Sequence, residues 1–355
     1  MKYKKITKED IISENIKNKE IYLTGIVMDI DGVLIDVNKS YNEAIRKTVH
    51  FITSKLKKSY ARNLVNDEII LRFRQSGGFN NDMDTSYAIS LALLSLNTSD
   101  KINPKKFLLK IAENSNEKGI RSVEKFLKCY LNSDYSNKLA NGFNGNIDKI
   151  KKYLDYPGPV GKSIVSTIFD EFFYGQKLFK SRYGFETNYY HGKPLIENEK
   201  IIITNKTIKY LSKKFDGRIC MVSGRSKIAA RFSLNNKFNL LNGHKSIFLE
   251  DEKRKYGKPN PYGLIKVINR MTTANALLYC GDSFEDLIMA RAAEKEINLK
   301  KKPNRKINIL FCGVYGLSAN HRELIKKFKE NNAEIIIKNI NNLPYILNKV
   351  DEKEC

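Results

Sequence analysis

The sequence contains little of the residue types that mark several special classes of protein. Its 355 residues include 20 glycines and 8 prolines, too few for a collagen-like or Pro/Gly-rich disordered chain. The five cysteines are odd in number and form no C-x-x-C pair, which favours reduced intracellular thiols over a disulfide framework. The four histidines are scattered without ligand spacing, so a zinc site has little support.

Long hydrophobic segments are also lacking. The longest apolar stretch, residues 87–96, has about half the length of a membrane-spanning helix. Residues 1–10 mix Lys with Asp and Glu and lack the apolar region of a secretory signal. We therefore expect a soluble cytoplasmic protein with no membrane partner.

The charge of the chain is strongly biased to one sign. Lys and Arg number 63 and Asp and Glu 39, a formal net charge of +24 that attracts phosphate-bearing partners. The lysines are spread over most of the chain and are not collected in one basic tail. A solvated lysine-rich surface is therefore the first interpretation, and a dedicated nucleic-acid face is the alternative.

Short apolar runs, one near the N-terminus and the others in the C-terminal half, alternate with helical patterns. Runs that end in small or acidic residues predict buried parallel strands at residues 25–29, 219–223, 277–282 and 307–313. Ile208, Leu211 and Phe215 have helical spacing, between a Thr204 cap and a Gly217 stop. Because strands and helices alternate, the sequence predicts an α/β fold. Candidate further elements are strands at residues 246–250 and 333–338 and a helix at residues 344–350.

Residues 40–198 have a different pattern, because helical periodicity dominates there and no strand-like run occurs. The strand at Ile26 needs partners that follow residue 215, so we predict a core of residues 1–39 and 199–355 with an inserted all-helical cap of residues 40–198. Such an insertion is predicted to act as a lid over the carboxyl ends of the strands, where open α/β folds bind ligands. Residues 1–20 are predicted to be a helix packed on the core or a frayed arm.

Two carboxylates follow the first predicted strand. Asp29 and Asp31 are two residues apart, so both project to one side while Ile30 turns away. Two anions this close imply a cation or a shared proton. A calcium loop is excluded, because Val33 and Ser40 stand where oxygen ligands are required; a surface turn is the remaining alternative.

A second acidic pair, Asp282 and Asp286, follows the strand at residues 277–282. Four residues apart, the two side chains would share one face of a helix. The alternative is an N-cap with an acidic first turn, which favours any helix dipole. Together with Asp29 and Asp31, the pair favours a divalent-metal site.

Three residues elsewhere are suited to binding an anion. Ser223 and Gly224 follow the second strand and offer a hydroxyl and a backbone N–H, although strand-to-helix turns often use Ser-Gly. Lys258 lies on a turn between Gly257 and Pro259, from which a lysine can be aimed at phosphate.

The order of these motifs resembles the haloacid dehalogenase superfamily of phosphohydrolases. Asp-x-Asp-Gly-Val, Ser-Gly-Arg, Lys-Pro and Gly-Asp-Ser-x-x-Asp each follow or lie near a predicted strand, between residues 25 and 290. The resemblance implies a Rossmann-like core with a mobile cap. The insertion resembles the helical C1 cap of the phosphoglycolate-phosphatase-like members of subfamily IA.

The resemblance also implies a role for each motif residue. Asp29 would be the nucleophile that forms an aspartyl-phosphate. Asp31 would protonate the leaving oxygen and then deprotonate the hydrolytic water; it must begin protonated, and repulsion from Asp29 would raise its pKa as required.

The remaining motif residues would bind the metal and the phosphoryl group. Asp29, the backbone carbonyl of Asp31 and Asp282 would hold Mg²⁺. Asp286 would orient a water ligand of the metal or Lys258. The phosphoryl oxygens would be bound by Ser223 with Gly224 and by Lys258.

The cap carries a run, Gly-Gly-x-Asn-Asn-Asp at residues 77–82, that resembles a little-characterised group of the same subfamily. If this loop faces the core, Arg72 or Arg74 would grip an acidic substrate, and Asn80 and Asn81 are further candidate specificity residues. The alternative is a glycine helix stop followed by an Asn/Asp turn. Residues 173–179 resemble the same group, and their aromatics at helical spacing predict cap core.

The sequence therefore favours a Mg²⁺-dependent phosphatase of a small phosphorylated metabolite. Asp31 supports phosphoryl chemistry, because superfamily members that cleave carbon–halogen or carbon–phosphorus bonds lack an acid at that position. Two alternatives stay open: a phosphomutase of the same superfamily, and a nucleic-acid-binding protein or polynucleotide-end phosphatase. Neither the metabolite nor the oligomeric state follows from the sequence.

Overall fold

The computed structural model describes residues 2–14, 22–56, 60, 63–79, 81–96, 102–132, 146–271, 276–300 and 306–351. The chain divides into two compact units. The first comprises Met1–Val37 and Glu199–Cys355, and the second comprises Asn38–Asn198. We call them the sheet unit and the helical unit.

The described residues contain ten strands and fourteen α-helices. The strands are β1 Tyr3–Lys5, β2 Ile11–Ser13, β3 Gly25–Met28, β4 Ile35–Asp36, β5 Lys200–Ile201, β6 Ile219–Ser223, β7 Ile247–Phe248, β8 Ala276–Gly281, β9 Asn308–Val314 and β10 Ile335–Ile337. The helices are α1 Tyr41–Lys55, α2 Asp67–Gln75, α3 Asp82–Ser95, α4 Pro104–Glu113, α5 Ile120–Asn132, α6 Ile147–Leu154, α7 Ile164–Tyr183, α8 Asn205–Lys214, α9 Lys227–Leu234, α10 Lys237–Leu240, α11 Tyr262–Arg270, α12 Phe284–Lys300, α13 His321–Glu330 and α14 Leu343–Asp351.

Eight strands form one sheet in the order β1-β2-β10-β9-β8-β3-β6-β7. The six strands from β10 to β7 are parallel to one another, and β2 pairs with β10 in the antiparallel direction. Counted along the chain, these six strands have the spatial order 3-2-1-4-5-6 of doubly wound nucleotide-binding folds, in which ligands bind where the strand order reverses. In this sheet the order reverses between β3 and β8. The predicted α/β fold with a parallel sheet is confirmed.

The two faces of the sheet bury separate apolar clusters. Ile26 and Met28 of β3 belong to one cluster and Val27 to the other, because successive side chains of a strand point to opposite faces. Residues of α8, α9 and α14 complete the first cluster, and residues of α11, α12 and α13 complete the second. Both faces are therefore covered, and this is why the parallel strands are continuous apolar runs in the sequence.

The predicted strands and the predicted closing helix occur in the structure. All six predicted runs contain a strand, and α14 covers the predicted closing helix. Thr204 caps α8, since its hydroxyl accepts a hydrogen bond from the backbone N–H of Thr207. Cys220, Cys280 and Cys312 are buried, as expected for cysteines inside apolar runs.

The prediction for the N-terminal segment was wrong where the structure describes it. β1 and β2 form an antiparallel pair, and β2 pairs with β10. Asp10 is 2% exposed and accepts hydrogen bonds from the backbone N–H of Lys338 at 3.0 Å and from Asn342 Nδ2 at 3.0 Å. Strands of three residues carry too little alternation to be recognised in a sequence, and tertiary contacts hold these two on the sheet edge.

The helical unit contains α1 to α7, and no strand occurs among its described residues. Helix α7 buries Phe172, Phe173, Tyr174 and Phe179, which confirms the predicted aromatic core. No helix in the described part of the chain has the length and apolar character needed to cross a membrane.

Candidate active site

The site begins at the carboxyl end of β3. The backbone N–H of Asp29 donates to the carbonyl of Cys280 on β8 at 2.8 Å, and the chain then turns back so that Leu34 and Ile35 donate to the carbonyl of Ile30 at 2.8 and 3.0 Å. Ile30 packs in the core, while Asp29 lies at the point where the strand order of the sheet reverses. The alternation expected from the sequence is confirmed for Ile30.

Gly32 makes this turn possible. Its φ of +74° is a conformation that few other residues adopt without strain. A Cβ atom at this position would lie 1.9 Å from Oδ2 of Asp282. The turn after β3 is therefore packed directly against the acidic residue that follows β8.

We expect Gly32→Ala to destabilise the fold by more than the left-handed backbone alone explains. The strain of this backbone costs about 1–2 kcal/mol for an alanine, and the close contact with Asp282 adds roughly 1–3 kcal/mol of overpacking. Gly217→Ala is the matched control, because Gly217 has φ +69° and an added Cβ there meets nothing within 4 Å. Equal losses of unfolding free energy in urea titrations of the two variants would contradict the prediction.

Asp282 immediately follows β8, and Asp286 lies in the first turn of α12. One carboxylate oxygen from each of Asp29, Asp282 and Asp286 lies within 4.8 Å of the others. Asp286 is fully buried, and a Cβ on Gly281 would lie 2.4 Å from its Cβ. The two acidic pairs of the sequence thus converge, and the glycine before Asp282 leaves room for the second carboxylate.

Asp286 has a nearly complete set of partners. It accepts hydrogen bonds from the Tyr279 hydroxyl at 2.7 Å, from the Ser283 hydroxyl at 2.6 Å and from the Ser283 backbone N–H at 3.2 Å. Lys258 Nζ lies 2.6 Å from its Oδ1. Since a carboxylate offers about four acceptor positions, these contacts favour orientation of Lys258 over direct metal binding by Asp286.

Lys258 joins the two ends of the cluster. Its Nζ also lies 2.7 Å from Oδ2 of Asp29, and its side chain is 12% exposed. Burial alone would lower the pKa of Lys258, but the carboxylates of Asp286 and Asp29 raise it above its ordinary value. The ammonium group is therefore held charged between two acids.

The buried acids disfavour their own ionisation. Desolvation raises the pKa of Asp29 to about 7. Lys258 opposes this rise, and repulsion from Asp286 and Asp31 adds to it. Desolvation and repulsion from Asp286 and Asp29 also raise the pKa of Asp282 well above its ordinary value. The cluster therefore holds more negative charge than Lys258 alone balances.

These residues fit a divalent cation. Oδ1 of Asp29 is buried and has no hydrogen-bond partner among the described residues, so one oxygen of the central carboxylate remains available. Carboxylate oxygens are the ligands that hard cations such as Mg²⁺ prefer. A cation between Asp29 and Asp282 would also relieve the repulsion that raises their pKa values.

Ser223 and Gly224 follow β6, which pairs with β3. Ser223 is fully buried, and its Oγ lies 3.5 Å from the backbone N–H of Arg225. A Cβ on Gly224 would meet nothing within 4 Å, so this glycine borders open space. Ser226, two residues on, caps α9 by accepting from the N–H of Ala229.

The sequence did not indicate the ion pairs that surround Asp31. Arg225 is 1% exposed, and its Nη2 lies 2.6 Å from Oδ1 of Asp31 and 3.0 Å from Oε1 of Glu199. The pKa of Asp31 is raised, as expected, but desolvation is the main cause, Arg225 opposes it, and Glu199 supplies the main repulsion. Asp29 and Asp31 do repel each other, as predicted, but burial is the larger cause of the raised pKa of Asp31. No local pattern marks Glu199 in the sequence.

The candidate specificity residues lie in the helical unit. Arg72 is exposed, and Arg74 pairs with Asp82 at 2.7 Å. Asn81 caps α3 through the N–H of Met83 at 2.9 Å, and Asn80 lies outside the described residues. The contacts of Arg74 and Asn81 favour the helix-stop and turn interpretation, and a substrate role for the four residues stays a prediction.

No family model and no curated protein sequence matches this chain. Two solved structures are similar to it in fold. The phosphatase Tt82 from Thermococcus thioreducens has a TM-score of 0.49 and 18% identity, with 81% of this chain and 91% of that chain covered. A hydrolase from Pseudomonas syringae has a TM-score of 0.41 and 12% identity, with 93% of this chain and 98% of that chain covered. Likenesses of this size assign no activity to the present chain.

Proposed function

We propose that this protein is a Mg²⁺-dependent phosphatase that hydrolyses a small phosphorylated metabolite through an aspartyl-phosphate on Asp29. One observation carries the proposal: Asp29 is buried at the reversal of strand order, with one oxygen on Lys258 and the other without a partner among the described residues. A carboxylate with one oxygen neutralised by a lysine and the other left without a partner is suited to attack phosphorus.

In the first half-reaction, an oxygen of Asp29 forms a bond to phosphorus while the bond from phosphorus to the leaving oxygen breaks. Asp31, which starts protonated, gives its proton to the leaving oxygen. In the second, Asp31 takes a proton from water, which attacks phosphorus and releases Asp29 and inorganic phosphate. The raised pKa of Asp31 has the direction that the first proton transfer needs.

The phosphoryl group would be bound by Lys258 Nζ, the Ser223 hydroxyl and the backbone N–H of Gly224. These groups are donors, and the three non-bridging oxygens of a phosphoryl group are acceptors. The open space beside Gly224 leaves room for such an oxygen to approach the backbone. Positioning and charge neutralisation supply most of the catalysis in phosphoryl transfer.

Mg²⁺ would be held by Asp29, the backbone carbonyl of Asp31 and Asp282, with Asp286 acting through Lys258. When bound, the ion would neutralise charge on the phosphoryl oxygens. Asp29 carries the nucleophilic oxygen, so the same residue serves the metal and the substrate.

Metal removal tests the proposed function directly. Hydrolysis of p-nitrophenyl phosphate is expected in Mg²⁺, to fall at least about 100-fold in EDTA, as loss of a charge-stabilising group does, and to return when excess Mg²⁺ is added. Release of p-nitrophenol at an unchanged rate in EDTA would contradict a metal-dependent mechanism. No turnover of any aryl phosphate or phosphorylated metabolite with Mg²⁺ would contradict a phosphatase.

A further inference from the structure

We propose that Arg225 and Glu199 are positioning residues for leaving-group protonation: they orient the Asp31 carboxyl group so that its outer oxygen carries the transferable proton. The inference rests on the proposed function, in which Asp31 is the general acid. It assigns a task to the buried ion pairs behind Asp31, all of which lie within the sheet unit.

The guanidinium of Arg225 is held in one orientation. Its Nη1 donates to Oε2 of Glu199 at 3.1 Å and to the Ser233 hydroxyl at 3.1 Å, and its Nη2 donates to Oε1 of Glu199 at 3.0 Å. Two parallel contacts to one carboxylate fix a planar guanidinium far better than a single contact does. The remaining charge of Nη2 is directed at Asp31, 2.6 Å away.

This arrangement distinguishes the two oxygens of Asp31. Oδ1 faces the guanidinium as an ion pair and has no hydrogen-bond partner among the described residues. Because a guanidinium is positively charged and has only donors, a proton is disfavoured on this oxygen. The proton that Asp31 transfers must then lie on Oδ2. The Asp31 side chain is 27% exposed, so without Arg225 it would be free to rotate and to present either oxygen.

Stability alone does not account for the ion pairs. The side chains of Arg225 and Glu199 are 0% and 3% exposed, and charged groups this deeply buried are often replaced by apolar residues without loss of stability. The contact of Arg225 with Asp31 gives the two buried charges a role other than stability. Glu199 immediately precedes β5, and Asp31 lies four residues before β4, the partner strand of β5. Arg225, which follows β6, contacts both acids. One buried arginine therefore links the segment before β4 and the segment before β5 to the end of β6.

The test is the dependence of kcat/KM on the leaving group, measured with Mg²⁺ on p-nitrophenyl phosphate and phenyl phosphate. A general acid matters more for the basic phenolate leaving group than for p-nitrophenolate. Asp31→Asn is therefore expected to lose at least about tenfold more rate on phenyl phosphate. Arg225→Lys and Glu199→Gln should show the same selective loss, in smaller degree, and neither should add to it in an Asp31→Asn background.

A matched control separates positioning from general loss of stability. Arg291 of α12 donates from Nη2 to both carboxylate oxygens of Glu334, at 3.0 and 2.9 Å, far along the chain from Asp31, and Glu334→Gln should lower both rates equally. If Arg225→Lys folds poorly, the double variant Arg225→Met with Glu199→Gln removes both charges together and is measured in its place; it should keep the selective loss.

The outcomes also separate this inference from the proposed function. Equal losses on both substrates in all Arg225 and Glu199 variants would overturn the positioning role while leaving the phosphatase in place. If the wild type hydrolyses neither substrate nor any phosphorylated metabolite with Mg²⁺, the proposed function fails and the positioning role fails with it.

Discussion

Asp29→Asn is expected to reduce phosphatase turnover on the order of 10⁴–10⁶-fold, the range seen when a catalytic nucleophile is removed. The amide is nearly isosteric with the carboxylate but is too weak a nucleophile to form an acyl phosphate. The measurement is p-nitrophenyl phosphate hydrolysis with saturating Mg²⁺, together with intact-protein mass spectrometry for a trapped phosphoryl group. The wild type should show the added group and the variant should not.

The fold of the Asp29→Asn protein should survive. The buried carboxylate is already hard to ionise, since its pKa is raised to about 7, so a neutral side chain replaces a group that is partly neutral near that pH. Asp216→Asn is the control, because Asp216 is an exposed residue paired with Arg218; it should change neither turnover nor stability. Full turnover by Asp29→Asn would refute the covalent mechanism.

Lys258→Met is expected to have the second largest effect, on both activity and stability. It removes the cation that contacts both Asp29 and Asp286, at 2.7 and 2.6 Å, and leaves two buried acids facing each other. Breaking a buried ion pair on one side costs about 3–5 kcal/mol. Turnover should fall about 100-fold or more, because a charge that stabilises the transferring phosphoryl group is lost.

The pH dependence of the loss has a definite sign. A carboxyl group whose pKa is raised by folding costs no stability when the pH lies below its pKa in the unfolded chain. The free energy of unfolding then falls as the pH rises from that value through the folded pKa. Without Lys258, the folded pKa of Asp29 should rise above its wild-type value of about 7. The stability deficit of Lys258→Met should therefore grow as the pH rises above about 7 and shrink as the pH falls back to about 7, and it should also shrink when Mg²⁺ is added.

Lys266→Met is the control for Lys258→Met. Lys266 pairs with Glu252 at 2.7 Å but both side chains are partly exposed, so its removal should cost less than about 1 kcal/mol and leave turnover unchanged. Urea denaturation in EDTA and in Mg²⁺ measures both variants. A Lys258→Met protein as stable as Lys266→Met in EDTA would show that the buried acids do not need the lysine.

The elements and residues that the sequence predicts correctly are those with a strong local pattern. A strand buried on both faces is a continuous apolar run, as at Ile26 and Leu278, and α8 shows its cap and its apolar spacing within a dozen residues. The two acidic pairs were predicted to share one site, and the structure brings carboxylate oxygens of Asp29, Asp282 and Asp286 together. Order along the chain was sufficient for these features.

Tertiary structure alone decided the remainder. β1 and β2 are three-residue strands whose place depends on β10 and on Asp10, some 300 residues away in sequence from its partners Lys338 and Asn342. Glu199 has no pattern around it in the sequence, and it lies beside Arg225 only through the tertiary structure, next to the pairing of β4 with β5. The sequence by itself indicated which acids share a site, because the motifs that carry them can be recognised locally. The fold decided which buried charges surround each acid, because the energy of a charge depends on neighbours that are distant in sequence.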